Sequence, residues 1–254
     1  GAALALILSN TAGMLFGLAV LLSGRAPVRL DLHDLRLDLS IMRNILRVAL
    51  PAVVLRGTPN VAMLLLTRLV AWYGADYLAA WIIVQRIYSL ATSPSQGMAR
   101  TTPAMVGQNL GAAQPERATQ AVGLIARAAS VMAIVIIGLL VLFAPQIMTV
   151  FSSDSETIAA GAHVIRALSI GYLAFTVGTV FDLAQAGAGD TLSPMVINLI
   201  SLWLIQVPLA YSLSQLAGLE ADGIWLALNL GWVVQAVLLN LRFRQGHWKE
   251  AQVV

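Results

Sequence analysis

Residues 119–143 read TQAVGLIARAASVMAIVIIGLLVLF, and this stretch decides the fold class. Arg127 is its only charged residue, and no proline interrupts it. A helix of about 20 apolar residues crosses the hydrocarbon core of a bilayer, which is about 30 Å thick. Inside lipid, a single segment satisfies its own backbone hydrogen bonds only as a helix. The stretch therefore predicts a transmembrane helix.

Six more apolar runs of similar length flank this stretch. They cover residues 2–22, 48–73, 77–105, 158–184, 192–216 and 223–241. Hydrophobic residues make up 59% of the 254-residue chain and charged residues only 11%, against about 25% charged in an average soluble domain. This composition excludes a soluble enzyme and a nucleic-acid partner. It predicts an all-α polytopic membrane protein with about seven transmembrane helices in a lipid bilayer.

The charges of the connecting loops alternate in sign along the chain. The loops after the first and third runs, and the C-terminal tail, hold the cations Arg25, Arg29, Arg36, Arg43, Arg47, Arg100, Arg117, Arg242, Arg244 and Lys249. The loops over residues 72–76, 145–157 and 217–222 have only acids as charged residues, which are Asp76, Asp154, Glu156, Glu220 and Asp222. Because cytoplasmic loops carry the excess of Lys and Arg, we expect a multi-pass cell-membrane protein with residue 1 outside and the C-terminus cytoplasmic.

The connection over residues 23–46 is the longest in the chain. Arg36 and Arg43 fall near one helical face, while Leu35, Leu39 and Met42 are apolar. This pattern predicts an amphipathic helix on the inner membrane surface. It joins one preceding span, residues 1–22, to six following spans, residues 47–243, and a cytoplasmic tail, residues 244–254. The arrangement indicates a linker between two lobes.

The third run carries a stripe of polar side chains. Gln85, Ser89, Thr92 and Gln96 stand at i, i+4, i+7 and i+11, so they share one helical face. Arg86 flanks this stripe. Pro94 and Pro103 interrupt the same run and free backbone carbonyls, which membranes tolerate only against protein or a watery cavity. The stripe therefore either lines a substrate cavity or bonds to neighbouring helices.

Three more polar residues lie inside the predicted spans. Arg56 and Asn60 share a face of the second span and are further candidates for the cavity. Asp182 is the one carboxylate clearly inside an apolar run. An acid in that position either neutralises itself, pairs with an Arg, or binds a coupling cation, and the last of these is the functional interpretation.

Catalytic and cofactor patterns are missing from the sequence. There is no cysteine, the three histidines lack metal-ligand spacing, and no phosphate-binding glycine loop occurs. No arrangement of nucleophile, base and acid can be argued from the positions. We therefore expect no enzymatic activity, no bound metal and no organic cofactor.

Two segments carry a family resemblance. Residues 106–118 read VGQNLGAAQPERA and resemble the VGQNLGAGQPERA signature of the multidrug and toxic compound extrusion (MATE) family. Residues 187–194 read GAGDTLSP and are similar to that family's GAGDTxxPM segment. Physically, Gly107 and Gly111 predict a tight turn, and Pro115 with Glu116 predicts the start of the next helix.

The resemblance implies a fold and an activity. Members of the family have twelve helices in two six-helix lobes, related by a pseudo-two-fold axis, and they export small organic cations or drugs in exchange for Na+ or H+. This chain resembles the sixth to twelfth helices, so the resemblance implies a missing N-terminal lobe. In one branch of the family, the cation-site acids of the seventh and tenth helices match positions near Pro59 and Phe175 here, so neither acid is kept. Another branch couples protons through an acid in the first lobe, so the resemblance leaves the coupling ion open.

The resemblance also assigns roles to residues. Arg56, Asn60, Gln85, Arg86, Ser89, Thr92 and Gln96 are expected to face the cavity, and Asp182, which the resemblance itself does not assign, stays the candidate for ion coupling. The residues expected to shape the cytoplasmic turns are Gly107, Gln108, Asn109, Gly111, Glu116, Arg117, Gly187, Gly189, Asp190 and Thr191. A flippase for a lipid-linked or anionic amphiphile is the alternative, because Arg in the cavity suits an anionic headgroup. A non-transporting receptor or scaffold is a third class.

Overall fold

The computed structural model describes residues 2–22, 42 and 57–249. The chain divides into two units, Gly1–Val53 and Val54–Val254. In the first unit, helix α1 spans Ala2–Leu22, and exposed large side chains such as Ile7, Leu8 and Phe16 lie along it. The predicted linker helix over residues 23–46, the start of the second span and residues 250–254 lie outside the described residues.

The second unit is built from helices throughout its described part. Helix α2 covers residues 57–71. The helices that follow are α3 (Ala75–Ala91), α4 (Ser93–Ala99), α5 (Thr102–Gly111), α6 (Pro115–Leu142), α7 (Ala144–Thr149), α8 (Ser155–Gly187), α9 (Leu192–Leu216) and α10 (Glu220–Arg244), with a short 3₁₀ turn at His247–Lys249. No strand occurs in residues 57–249. The predicted all-α fold is confirmed.

Four of these helices are long and apolar enough to cross a membrane. They are α6, α8, α9 and α10, and they coincide with the predicted runs 119–143, 158–184, 192–216 and 223–241. Helix α9 has two π-helical segments, Ser201–Gln206 and Ser212–Leu216. The wider π turns are frequent where a helix serves a function rather than only packs.

The third predicted run is interrupted where its prolines stand. It folds as α3, α4 and α5 and continues to Gly111, beyond the predicted end at residue 105. Pro94 has no N–H to donate to the Leu90 carbonyl, and the Ser93 hydroxyl donates to that carbonyl instead, at 2.8 Å. At the next break the Thr101 hydroxyl donates to the Met98 carbonyl at 2.7 Å. Hydroxyl groups thus bond to helix carbonyls beside both breaks.

Helix α8 is the centre of the second unit, since α3, α5, α6, α7 and α10 all pack along it. Asn229 of α10 joins its backbone: the Asn229 Oδ1 accepts from the Gly171 N–H, and the Asn229 Nδ2 donates to the Ala167 carbonyl at 2.8 Å. Gly171 permits this approach, because a Cβ there would lie 2.6 Å from both Asn229 Oδ1 and the Trp232 ring. The amide fixes the register between α8 and α10.

Two separate cores hold the helices together. We call the end of the unit that contains residues 107–117 and 187–191 the signature end, and the other the opposite end. The opposite-end core contains Trp81, Trp225, Tyr88, Ile165 and Leu168. The signature-end core is mostly small side chains, with two aromatic rings: Ala99, Val106, Ala118, Val122, Ala129, Val180, Ala184, Ala188, Phe243 and Trp248.

Candidate functional site

The predicted polar stripe lies on α3 and α4, but its members differ in what they contact. The Gln85 Oε1 accepts from the Tyr172 hydroxyl at 2.9 Å, so this residue bonds across to α8. Ser89 is exposed. Thr92 is buried, and its hydroxyl donates to the Tyr88 carbonyl at 2.7 Å within its own helix. The Gln96 Nε2 is buried without a partner. The stripe therefore combines bonds between helices with exposed and unpaired groups.

A pair of tyrosines supports the start of this stripe, and the sequence did not predict it. The rings of Tyr88 and Tyr172 stack with centroids 3.6 Å apart and nearly parallel planes. The Tyr88 hydroxyl donates to the Ile165 carbonyl at 2.8 Å. The pair packs α3 against α8 close to Gln85. Because Tyr172 also donates its hydroxyl to Gln85, this aromatic packing fixes the orientation of the Gln85 side chain.

The remaining cavity candidates lie on exposed surface or outside the described part. Arg86 and Asn60 are exposed. Arg56 falls outside the described residues. No side chain bonded to Asn60 or Arg86 occurs among the hydrogen bonds and ion pairs between described residues. The expectation that these residues line a water-filled cavity stays a prediction.

Asp182 is part of a polar layer between three helices. It lies on α8, half-buried, and the Asn198 side chain of α9 is a polar neighbour of its carboxyl group. The Asn198 Oδ1 in turn accepts from the Gln235 Nε2 of α10 at 2.6 Å. We call these three residues the Asp182 layer. Asn198 and Gln235 looked unremarkable in the sequence, because their partners stand on other helices.

The two signature segments touch each other. A Cβ on Gly187 would overlap the backbone of Pro103, and one on Gly107 would lie 3.6 Å from the Gly187 carbonyl oxygen. Gly187 therefore ends α8 directly against the start of α5. The backbones of α5 and α8 therefore approach each other closely at these two glycines.

The turn after α5 differs from the prediction. Gly107 and Gly111 are both helical, with no side-chain or backbone obstruction at Gly111. The left-handed residue is Ala113, with φ 55°. Ala113 stands where the family signature has glycine. The expectation that Gly107 and Gly111 make the tight turn was wrong, since the reversal takes place after the helix ends. The predicted start of the next helix at Pro115 is confirmed.

The second signature turn is held by a charged pair. Gly189 adopts φ 92°, which favours glycine. The Asp190 Oδ1 accepts from the Ser193 N–H at 3.1 Å, which caps the start of α9. The Arg242 guanidinium lies 3.8 Å from the other Asp190 oxygen and also donates to the Ser193 hydroxyl at 3.2 Å. Thr191, next to this pair, is exposed.

The remaining signature residues bond locally or to the end of the described chain. The Asn109 amide donates to the Met105 carbonyl at 2.7 Å, and Arg117 donates to Gln114 at 3.3 Å. Gln108 is exposed. The Lys249 ammonium lies 2.9 Å from the Glu116 carboxylate. The turn before α6 is thereby linked to the segment that follows α10.

Metal-binding geometry does not occur at these places. In residues 57–249 and the other described positions, no three His, Cys, Asp or Glu side chains converge to hold a metal ion. The Asp182 layer supplies one carboxylate and two amides. The arrangement can therefore bind or release a proton, or contribute to a site for a monovalent cation or an organic cation.

Helices of membrane length, a proline-broken helix with polar groups and a carboxylate between apolar helices together define a multi-pass α-helical membrane protein. The family model described as MatE matches residues 51–212. The chain belongs to this family, whose members are multidrug and toxic compound extrusion transporters.

Relatives agree over nearly the whole chain. A probable multidrug resistance protein YoeA of Bacillus subtilis (strain 168) is 24% identical over 256 residues, which are 100% of this chain and 55% of that protein. The multidrug resistance protein NorM of Burkholderia vietnamiensis is 27% identical over 245 residues, 94% of this chain and 52% of that protein. The chain thus spans about half the length of the curated relatives it matches.

Solved structures match at the level of the fold. One, described as the outward-facing conformation of a multidrug resistance MATE family transporter of the MOP superfamily, is 25% identical with a TM-score of 0.81, and covers 98% of this chain and 57% of that chain. An inward-facing structure of such a transporter gives a TM-score of 0.77 at 23% identity, over 89% of this chain and 53% of that chain.

Proposed function

We propose that this chain forms the C-terminal portion of an antiporter that exports small organic cations or drugs in exchange for Na+ or H+. The observation that carries the proposal is the Asp182 layer, a half-buried carboxylate between apolar helices beside the hydrogen bond that joins Gln235 to Asn198, in a member of a transporter family. Intramembrane acids are costly and generally serve ion or substrate pathways. The names of the multidrug resistance relatives supply the substrate class.

The domain organisation we propose follows from the length of the relatives. Residues 1–22 are the last helix of an N-terminal lobe, residues 23–46 an amphipathic cytoplasmic linker, residues 47–243 the six-helix C-terminal lobe, and residues 244–254 a cytoplasmic tail. The partner of the C-terminal lobe is an N-terminal lobe related to it by a pseudo-two-fold axis. Alternating access then arises when the two lobes rock around a central site.

The orientation we propose places the signature end in the cytoplasm. Its described turns carry Arg100, Arg117, Arg242 and Arg244, whereas the turns of the opposite end carry only acids. Cytoplasmic loops of membrane proteins are enriched in Lys and Arg. Residue 1 accordingly lies outside and the C-terminus inside.

The stripe on α3 and α4 is our candidate for the cavity wall, with Arg56, Asn60 and Arg86 beside it. Ser89 is exposed, and Gln96 holds an amide without a partner. A cysteine scan over residues 85–96 of the complete transporter tests this assignment. Labelling by a water-soluble maleimide should recur along this face at positions 85, 89 and 96, while the buried position 92 stays protected. Uniform protection along this face would remove the stripe from the cavity.

Export itself is tested in liposomes that contain the complete transporter, with ethidium as the transported probe. An antiporter accumulates ethidium against its gradient when a Na+ or a proton gradient is imposed, and stops when that gradient is dissipated. A receptor or scaffold binds ethidium without accumulating it. Absence of accumulation under both gradients would contradict the proposed function.

A flippase for an anionic amphiphile is the alternative, and exposed arginines on apolar helices favour it. Arg86 and Arg166 are both exposed on helices that pack together, α3 and α8. Guanidinium groups bind phosphate headgroups well. If the complete transporter moves a fluorescent anionic phospholipid between leaflets and leaves ethidium untouched, the flippase function replaces the antiporter.

A further inference from the structure

An apolar groove runs along the exposed face of α6, where α4 packs against this helix. Its volume is about 600 Å³, which lies within the range of sites that hold a small ligand. Met98 of α4 lines one side of it. The side chains that α6 contributes include Leu124, Arg127, Ala128, Val131 and Val135, which share one helical face. Arg127 is the one charged residue of the lining.

The apolar side chains of this groove are large and uncovered. Leu124, Val131 and Val135 are each more than half exposed. They stand on a helix that is long and apolar enough to cross a membrane. An exposed apolar surface on such a helix meets lipid chains rather than water. We call this surface, with Met98 and Arg127, the α4–α6 groove.

The Arg127 guanidinium has no anion beside it in the described part of the chain. No ion pair or side-chain hydrogen bond to it occurs among residues 57–249. Helices α4 and α5 contain no carboxylate, and the one on α6, Glu116, pairs with Lys249. Glu116 also stands eleven residues before Arg127, roughly 16 Å along the axis. Because a cation on an apolar membrane face is costly, this position favours an anion from outside the described protein.

The depth of Arg127 matches the headgroup level at the signature end. About 20 helical residues cross the hydrocarbon core, and counted back from the end of α6 at Leu142 they reach about residue 123. Arg127 stands roughly 6 Å inside that boundary, a distance that its long side chain spans. From Arg127 the groove continues toward the opposite end as far as Ile136, over roughly 14 Å. A headgroup beside Arg127 therefore leaves room for an acyl chain in the groove.

The groove faces away from the candidate cavity wall. On α4, Gln96 belongs to the polar stripe and Met98 lines the groove. Two residues turn a helix by about 200°, so these side chains point to nearly opposite sides of α4. The proposed N-terminal lobe shares a cavity with the stripe and so lies on the other side. Lipid is thus the partner next to the groove.

We propose that the α4–α6 groove binds an anionic phospholipid of the leaflet at the signature end, as a bound partner and not as the transported substrate. The Arg127 guanidinium donates hydrogen bonds to the phosphate, since its fork matches the phosphate oxygens. An acyl chain lies along Ala128, Val131 and Val135. A lipid of net negative charge neutralises Arg127, whereas phosphatidylcholine brings a cation of its own. Basic pockets between transmembrane helices bind anionic headgroups in this way.

The test is native mass spectrometry of the complete transporter in detergent, titrated with dioleoyl phosphatidylglycerol or with dioleoyl phosphatidylcholine. The unchanged protein should bind its first phosphatidylglycerol about tenfold more tightly than its first phosphatidylcholine. Arg127→Gln should weaken phosphatidylglycerol binding about tenfold and leave phosphatidylcholine binding unchanged. Arg244→Gln is the matched control, the same change at an exposed arginine at the end of α10, and should bind both lipids as the unchanged protein does.

A second pair of variants tests the place of the acyl chain. Ala128→Trp puts a ring into the groove and leaves Arg127 in place, so it should also weaken phosphatidylglycerol binding. Ile134→Trp puts the same ring on an exposed position of α6 outside the groove lining and should bind as the unchanged protein does. Unchanged binding by Ala128→Trp would show that the chain lies elsewhere and would overturn the assignment to the groove.

The other occupants are distinguished in the same spectra. Unchanged phosphatidylglycerol affinity in Arg127→Gln would overturn the lipid site and leave the groove to the proposed N-terminal lobe. A dimer that Arg127→Gln dissociates would overturn it in favour of a second copy of the protein. An equal loss of affinity in Arg244→Gln would reduce the preference to general surface charge. None of these outcomes depends on export, so the lipid site and the proposed function can fail separately.

Discussion

The two ends of the second unit are packed in different ways. At the opposite end large rings interlock: Trp81 and Trp225 stack with centroids 5.1 Å apart and are almost fully buried. At the signature end alanine and valine fill most of the core, and the backbones of α5 and α8 meet at Pro103 and Gly187. Small residues let membrane helices approach closely. The opposite end is thus sensitive to the loss of its rings, and the signature end to atoms added at Gly187.

The largest effect is expected when a ring is removed at the opposite end. Trp81→Ala should destabilise the protein by about 3–5 kcal/mol, because a buried indole leaves a cavity that its neighbours fill only in part. Its hydrogen bond to the Thr67 hydroxyl, at 3.3 Å, is lost as well. Trp72→Ala is the control, since Trp72 is 57% exposed. Equal thermal unfolding of the two variants in detergent would contradict the packing described for this end.

Added atoms test the signature end. Gly187→Ala should cost about 1–3 kcal/mol, because the new methyl group overlaps the Pro103 backbone, which cannot rotate away as a side chain can. Gly138→Ala is the same change within α6, where nothing lies within 4 Å of the added Cβ. There alanine should be neutral or stabilising, because it favours helix. Thermal unfolding that falls equally in both variants would argue against a close approach at Gly187.

A smaller effect of opposite sign is expected in the turn before α6. Ala113 adopts a left-handed backbone conformation, which is unfavourable for alanine and which glycine adopts freely. Ala113→Gly should therefore raise stability by about 0.5–1 kcal/mol, after the greater entropy of glycine in the unfolded chain is subtracted. Ala112→Gly, whose φ is −85°, should lower it. A destabilised Ala113→Gly would show that the turn differs from the one described.

The smallest effect concerns pH at the opposite end. Asp154 accepts a hydrogen bond from the Thr157 N–H at 2.7 Å at the start of α8, and this bond lowers the pKa of the Asp154 carboxyl. A lowered folded pKa means that the stabilisation is complete above the unfolded value of about 3.9 and is lost as the pH falls through the folded value. Asp154→Asn keeps a capping oxygen but does not titrate.

The unfolding temperature of the unchanged protein should therefore fall slightly more steeply with acid below about pH 4 than that of Asp154→Asn. Parallel curves for the two proteins would show that the cap contributes nothing to the pH dependence.

The sequence predicts whole helices better than contacts between them. Residues 119–143 and 192–216 are apolar over a membrane thickness, so length and composition are enough to predict α6 and α9. Pro94 and Pro103 likewise predict the breaks, because a missing N–H is a local property. The end of α5 at Gly111 and the reversal at Ala113 depend on packing against α8, which no local pattern contains.

The candidate site was predicted only in part, because most of its contacts join different helices. Asp182 stands out in the sequence because burying a carboxylate in an apolar run is energetically unfavourable, whichever way that face of the helix points. Asn198 and Gln235 become informative only when the rotation of three helices brings them together. The hydrogen bond from the Gly171 N–H to the Asn229 side chain could not be predicted for the same reason. A periodic stripe such as Gln85 to Gln96 identifies one polar face of one helix, but it does not show which residues of other helices contact that face.

The most direct test of the account is proton release when substrate binds. The complete transporter in detergent, in weakly buffered solution with a pH-indicator dye, is mixed with saturating ethidium. If proton and organic cation compete through the Asp182 layer, the unchanged protein releases about one proton per transporter, and Asp182→Asn binds ethidium but releases none. Equal release by both proteins, or tight binding without release by the unchanged protein, would contradict the account.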